Sequence, residues 1–244
     1  PTQLAEIKKE TNVAKLQKLS TEWSVKQKEN MAKALLMAKE KGWIVRQELP
    51  SGGVIALVGI TKNNLPIYYT TDNANAAATI STNRVHPNGG MGLSLDGSGM
   101  TMAQWDGGGI ATTHPEITGR AVIRDGTTGI SSHSNHVAGT LIAGGVNPDA
   151  KGMSFRANLD AYSFTNDDPE MAAAAAAGLL ISNHSYGSVM GWRQGVWNGD
   201  PSISATEDYR FGFYGSGERS WDEIAYNAPY YLIVKSAGND RGDS

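Results

Sequence analysis

The chain has 244 residues, 21 Lys and Arg against 24 Asp and Glu, and a formal net charge of −3. That length supports one large domain, or a large one with a small one, and the absence of cysteine excludes disulfides, thiolate metal sites and a cysteine nucleophile. No apolar run reaches membrane-spanning length, and the charge is split: residues 1–48 carry ten basic and six acidic side chains, residues 49–244 eleven and eighteen. So acidic a body is a poor partner for nucleic acid.

Residues 4–41 read as helical. Leu4, Ile7, Val13, Ala14 and Leu16 recur at helical spacing, as do Met31, Ala34, Leu35 and Ala38. Ser20-Thr21-Glu22 is a candidate break between two helices, and Gly42 after Lys39 and Lys41 is the expected C-terminal cap. The period then changes. Residues 43–49, 54–60 and 65–71 read as three strands, separated by Pro50-Ser51-Gly52-Gly53 and Thr61-Lys62-Asn63-Asn64. Residues 1–72 thus form a small helix-plus-meander module, and residues 73–91 a polar linker.

From residue 92 to 244 the pattern alternates strand and helix. Strands are expected at 99–105, 121–125, 157–163, 180–185 and 230–236, the last as a buried strand. Helices are expected at 136–143, 169–179 and 221–227, the second opened by Asp167, Asp168 and Glu170. Residues 190–219 are irregular and rich in Gly and aromatics; Trp197, Tyr209, Phe211, Phe213 and Tyr214 either line a substrate cleft or pack as a satellite core, the second being slightly favoured. The fold class is α/β: a mainly parallel sheet with helices on both faces, preceded by the small α+β module. In such sheets ligands bind beyond the carboxyl ends of the strands. Asp106, Ser185-Tyr186-Gly187 and Asn239 all lie just past expected strand ends.

Three segments carry chemistry. Asp106 follows the apolar run Met102-Ala103-Gln104-Trp105 and precedes three glycines, so it reads either as a simple turn or as a buried carboxylate that fixes a histidine tautomer. His133-Ser134-Asn135-His136 is a polar turn running into the small-residue helix Val137-Ala138-Gly139-Thr140; His133 is the candidate base. His133 and His136 lack the His-Glu-x-x-His zinc pattern and an obvious third ligand. Ser236-Ala237-Gly238-Asn239 leaves a strand on small residues, and the Asn239 amide suits donation to a developing oxyanion.

Together these blocks resemble the subtilisin-type serine proteases, the subtilases, over about residues 91–240. Trp105-Asp106-Gly107-Gly108-Gly109 is similar to the family's Asp-x-Gly block, and His114-Pro115-Glu116-Ile117 to the His-Pro-Asp/Glu segment that follows it. The His133–Thr140 segment is similar to the His-Gly-Thr-His-Val-Ala-Gly-Thr block. Asn183-His184-Ser185-Tyr186-Gly187 resembles the Asn-x-Ser-x-Gly strand, and Ser236-Ala237-Gly238-Asn239-Asp240 the Ala-Ala-Gly-Asn block. The helical start and Trp-rich insertion resemble secreted Bacteroidetes-type members.

The resemblance implies a serine endopeptidase using an Asp-His-Ser triad, secreted or at the bacterial cell surface, with polypeptide substrates. It makes Asp106 the residue that orients His133, His133 the general base and Asn239 an oxyanion donor. Ser185, Tyr186 and Gly187 would bind extended substrate backbone, and Ser236, Ala237 and Gly238 would wall the pocket before the scissile bond. Two departures stand out: Ser134-Asn135 replaces Gly-Thr, and the family's Gly-Thr-Ser-Met-Ala nucleophile block does not occur up to Ser244. The serine is therefore expected beyond Ser244, either on a C-terminal companion chain made by cleavage in the Asp240–Ser244 loop, which is the favoured reading, or further along the same polypeptide, and the fold is expected to be incomplete in this chain. Residues 1–72 then read as a prodomain or a lasting N-terminal extension; the start at Pro1 reads as a leader already removed. No cofactor is needed for catalysis. Calcium is common in the family, and Asp167, Asp168, Asp200, Asp208 and Asp240 are oxygen donors without a recognisable calcium loop. The rival functions are a catalytically inactive subtilase-like scaffold and an adhesion protein using Arg241-Gly242-Asp243.

Overall fold

The computed structural model describes residues 9–48, 54–71, 82–88, 90–147, 150–193 and 195–239. Leu4 and Ile7, the Pro50–Gly53 turn, residues 72–81 of the expected linker region and residues 240–244, with the Arg-Gly-Asp triplet, lie outside them.

Helix α1 (Val13–Lys41) runs unbroken through Ser20-Thr21-Glu22. The helix instead starts at Asn12, whose side chain accepts from Lys15 N at 3.1 Å, and the Thr21 hydroxyl is absorbed by a bond to Gln17 O. Gly42 closes it as expected, at φ 69° with its N–H on Ala38 O. Strands β1 (Arg46–Glu48), β2 (Val54–Ile60) and β3 (Pro66–Thr71) form the expected antiparallel meander.

The body holds β4 (Thr101–Asp106), β5 (Ala121–Ile123), α2 (Ser132–Ile142), β6 (Asn158–Ser163), α3 (Asp167–Ala176), β7 (Ile181–His184), β8 (Tyr186–Ser188), the short pair β9 (Trp192–Arg193) and β10 (Val196–Trp197), α4 (Ser216–Asn227) and β11 (Leu232–Lys235). Five of these strands make one parallel sheet in the order β11-β7-β4-β6-β5, as the α/β pattern predicted. One correction concerns β11. Leu232 is 59% and Val234 43% exposed, so this strand is not buried; among the described residues it pairs only with β7, on one side. An apolar run marks a strand without saying whether it is central or at an edge.

The expected satellite core does not form as such. Phe211, Phe213 and Tyr214 are about as exposed as β11, while Trp197 packs on Trp192 at 5.5 Å and Trp221 joins the main core. A buried ion pair organises this segment: Asp208 accepts from Gly191 N and Arg210, whose guanidinium also reaches Asn198 O.

The sequence pattern does not show how the module meets the body. β3 pairs antiparallel with β8, so the module's sheet has the order β1-β2-β3-β8 and ends on a strand of the body. Helix α1 serves two partners along its length. Ala34 and Ala38 pack on Leu57 and Ile60 of β2, while Leu16 and Leu19 join the core around Trp105, Phe164, Met171 and Ile224. Gln27, between them, donates to both Val58 O and Thr165 O. Leu16, Leu19 and Val58 alone contribute about 5–9 kcal/mol of gross apolar burial to this joint core.

Candidate active site

β4 is the middle strand of the parallel sheet and delivers Asp106, its last residue, fully buried. The carboxylate accepts from Gly107 N at 2.6 Å, Ser134 Oγ at 2.9 Å and His133 Nδ1, which lies 2.9 Å from Oδ1 and 3.1 Å from Oδ2. A carboxylate so placed requires the proton on Nδ1, which leaves Nε2 as the basic nitrogen. Nε2 is buried and has no hydrogen-bond partner among the described residues.

The His-Ser-Asn-His segment is not a turn before the helix but the start of it. Ser131 is extended (φ −104°, ψ 132°) and caps α2 through Ser134 N, so His133 stands in the first helical turn. Several bonds hold that turn in place. Gln104 of β4, buried, donates to Ser134 O at 2.9 Å. Asn135 Oδ1 accepts Ala111 N, Gly109 N reaches Gly129 O, and Ser131 N reaches Gly109 O. Sequence reasoning missed Gln104 and Ser134. Ser134, a departure from the family's Gly, supplies one of three donors to Asp106. Its signal was a hydroxyl one residue from the base, on a buried helix start.

Glu116 anchors the far end of α2. Its carboxylate accepts from the backbone N–H groups of Asn147, Gly145 and Val146 at 2.8, 2.7 and 3.1 Å, which hold its pKa below the usual range. His136 is exposed on the helix, and among the described residues no three His, Asp or Glu side chains gather as metal ligands. Asp167, Asp168, Asp200 and Asp208 bond to Tyr186, Trp221, Ser202 and Arg210 respectively. A surface recess of about 160 Å³ lined by Thr101, Arg120, Asn158 and Asp160 lies toward the other end of β4 and holds none of the expected site residues.

The second wall is built around β8. Tyr186 is buried, and its hydroxyl donates to Asp167 at 2.7 Å; only its backbone lies on the expected substrate edge. Ser236 joins the exits of two strands, its N–H on His184 O and its hydroxyl on Tyr186 O. Gly238 has φ 94°, a conformation that favours glycine, and Ala237 and Asn239 are exposed beyond β11.

Against known proteins, the profile of the Peptidase S8 (subtilase) family matches residues 108–244, more than half of the chain. The chain belongs to the subtilase family. His133 lies inside the matched span and Asp106 two residues before it. Among solved structures, this subtilase is similar to fervidolysin from Fervidobacterium pennivorans, described as a keratinolytic enzyme related to subtilisin: 20% identity, TM-score 0.43, covering 67% of this chain and 25% of that one. It is also similar to the epidermin leader peptide processing serine protease of Staphylococcus aureus: 15% identity, TM-score 0.38, 70% of this chain and 45% of that one. The chain thus spans less than half the length of either. No curated protein sequence matches it. In this subtilase the described residues bring Asp106 and His133 together and set Ser236 against Tyr186, while Asn239 makes no described hydrogen bond to the pair. No helix among them is long and apolar enough to cross a membrane.

Proposed function

We propose that this chain is part of a secreted serine endopeptidase that hydrolyses peptide bonds through an Asp-His-Ser triad, with the serine supplied from beyond Ser244. One observation carries the reading: both carboxylate oxygens of Asp106 face His133 Nδ1, and the opposite nitrogen, Nε2, is buried without a described partner. Nε2 takes the proton of the serine hydroxyl as its oxygen bonds to the scissile carbonyl carbon. The imidazolium then passes that proton to the leaving amine. Asp106 stays ionised throughout, holding the tautomer and stabilising the imidazolium. The Asn239 amide donates to the oxyanion, and Ser236 to Gly238 wall the pocket before the scissile bond.

Extended substrate would add as a strand along Ser185–Gly187. That edge holds β3: Thr71 pairs with Tyr186, Thr70 with Gly187 and Tyr69 with Ser188. We therefore read residues 1–72 as a prodomain-type cover that occupies the substrate's place until it is displaced or cut, its positive charge facing an acidic body.

A serine-directed phosphonate, applied to the whole protein and followed by intact-mass analysis, tests the reading. A labelled polypeptide distinct from this chain, with labelling lost in His133→Ala, is the expected result. Labelling of no polypeptide would leave the inactive scaffold as the better description.

A further inference from the structure

The module makes a second contact, on the side of the catalytic pair, that the triad does not use. Arg46, Ala56, Tyr69 and Ser188 are successive partners across β1-β2-β3-β8, one rung of the sheet. Side chains of one rung project from one face. Ala56 is buried in the joint core, and the Tyr69 ring lies 5.5 Å from Phe164 and 5.1 Å from Tyr186, so this face is turned to the body. Three strand spacings carry Arg46 about 14 Å from the β8 wall.

Its guanidinium ends at the other wall. A Cβ built on Gly108 would stand 3.3 Å from Arg46 Nη2, 3.1 Å from the Gly129 carbonyl oxygen and 3.1 Å from Ser131 Cβ. Gly108 comes two residues after Asp106; Ser131 comes two residues before His133 and caps its helix. A side chain at position 108 would crowd all three at once, so glycine there is what lets the guanidinium come up against this wall beside the Gly129 carbonyl. Arg46 itself is exposed and makes no ion pair among the described residues, so no carboxylate explains its place.

We propose that Gly108, Gly129 and Ser131 form a subsite for a cationic side chain, and that Arg46 fills it while the module covers the cleft. Resting on the protease reading, the subsite gives the enzyme a preference for substrates with Arg or Lys close to the scissile bond. The acidic balance of residues 49–244 favours such substrates at longer range.

The probe is agmatine, a free guanidinium on an aliphatic chain, followed by the backbone amide signals of Gly108, Gly129 and Ser131. Arg46→Ala, and Arg46→Gln, which keeps most of the stem, should both bind it at least tenfold more tightly than the unaltered protein. Equal binding to all three, or none to either variant, overturns the subsite. In the active enzyme, peptides with Arg at one position near the scissile bond should be cut at least tenfold faster than those with Glu there; a preference for Glu, or none, overturns the substrate assignment. If agmatine binds but no peptide is cleaved, the subsite stands and the protease reading fails.

Discussion

Asp106→Asn isolates what the carboxylate does for His133. Oδ1 accepts from Gly107 N and Ser134 Oγ, at 2.6 and 2.9 Å. A backbone N–H that close does not tolerate an amide NH2, so the asparagine keeps its oxygen there. Its nitrogen then falls on the place of Oδ2, 3.1 Å from His133 Nδ1. The kept Oδ1, 2.9 Å from Nδ1, already takes two other donors, and the new NH2 crowds an Nδ1–H; the strain is relieved when that NH2 donates to an Nδ1 lone pair, so the imidazole proton moves to Nε2 and the base is lost although shape is preserved. Turnover should fall about 10⁴-fold, or about 5–6 kcal/mol of transition-state stabilisation. The assay is turnover of the active enzyme, paired with the imidazole ¹⁵N shifts of His133 in this chain. Activity within tenfold of the unaltered enzyme, or a proton still on Nδ1, would refute the argument.

Ser134→Ala removes one of the three donors to Asp106 and should cost about 1.5–3 kcal/mol of stability, read by urea unfolding, with turnover lowered less than in Asp106→Asn. Burial raises Glu170 from 4.5 to about 7, so relative to Glu170→Gln the native protein loses stability as pH rises from about 4.5 to 7, by about 3 kcal/mol in all. Urea midpoints of the two should therefore agree near pH 4.5 and diverge at pH 8, Glu170→Gln being the higher; a difference independent of pH would be the wrong outcome. Gly152→Ala places a Cβ 2.5 Å from Ala143 N and 2.8 Å from Gly139 O at the end of α2, and should lower the thermal midpoint through about 1–3 kcal/mol of overpacking. Tyr186→Phe leaves Asp167 without its hydroxyl donor and should loosen β8, seen as faster amide exchange at Gly187 and Ser188.

The parallel sheet, the three-strand meander, the Gly42 cap and the Asp106–His133 pair could all be read from residue types and spacing, because each is written in local periodicity or in motif order. What could not be read is long-range. The β3–β8 pairing joins residues more than a hundred positions apart, and nothing in Pro66–Thr71 distinguishes an edge strand from one that will find a partner in the body. The helix start at Ser132 was hidden because Ser, Asn and His suit a turn as well as a first helical turn; the buried donors on Asp106 decide between them. Gln104 was absorbed into the apolar run Met102–Trp105, and its partner, Ser134 O, lies thirty positions away.

The two walls of the cleft are held by separate polar networks. On the catalytic side Gln104, Ser134 and Asn135 tie the start of α2 to β4 and its loop. On the substrate side there is a buried relay: Tyr231 donates to Ser182 Oγ at 2.6 Å, and Tyr186 donates to Asp167. His184 lies between, its Nε2 2.7 Å from Ser182 Oγ and its Nδ1 2.9 Å from the Tyr186 hydroxyl. Burial keeps this ring neutral, its pKa lowered to about 3, so it has one N–H to give. Since the Tyr186 proton goes to Asp167, that N–H is on Nδ1, and Ser182 donates to Nε2. The chain runs in one direction from β11 to the start of α3, with every member satisfied, which fixes β8 without help from α2. Neither network crosses the cleft. The walls are tied beneath by the pairing of β4 with β7, Trp105 opposite His184, and above by the module's sheet, which runs from Ser188 on one wall to Arg46 over the other.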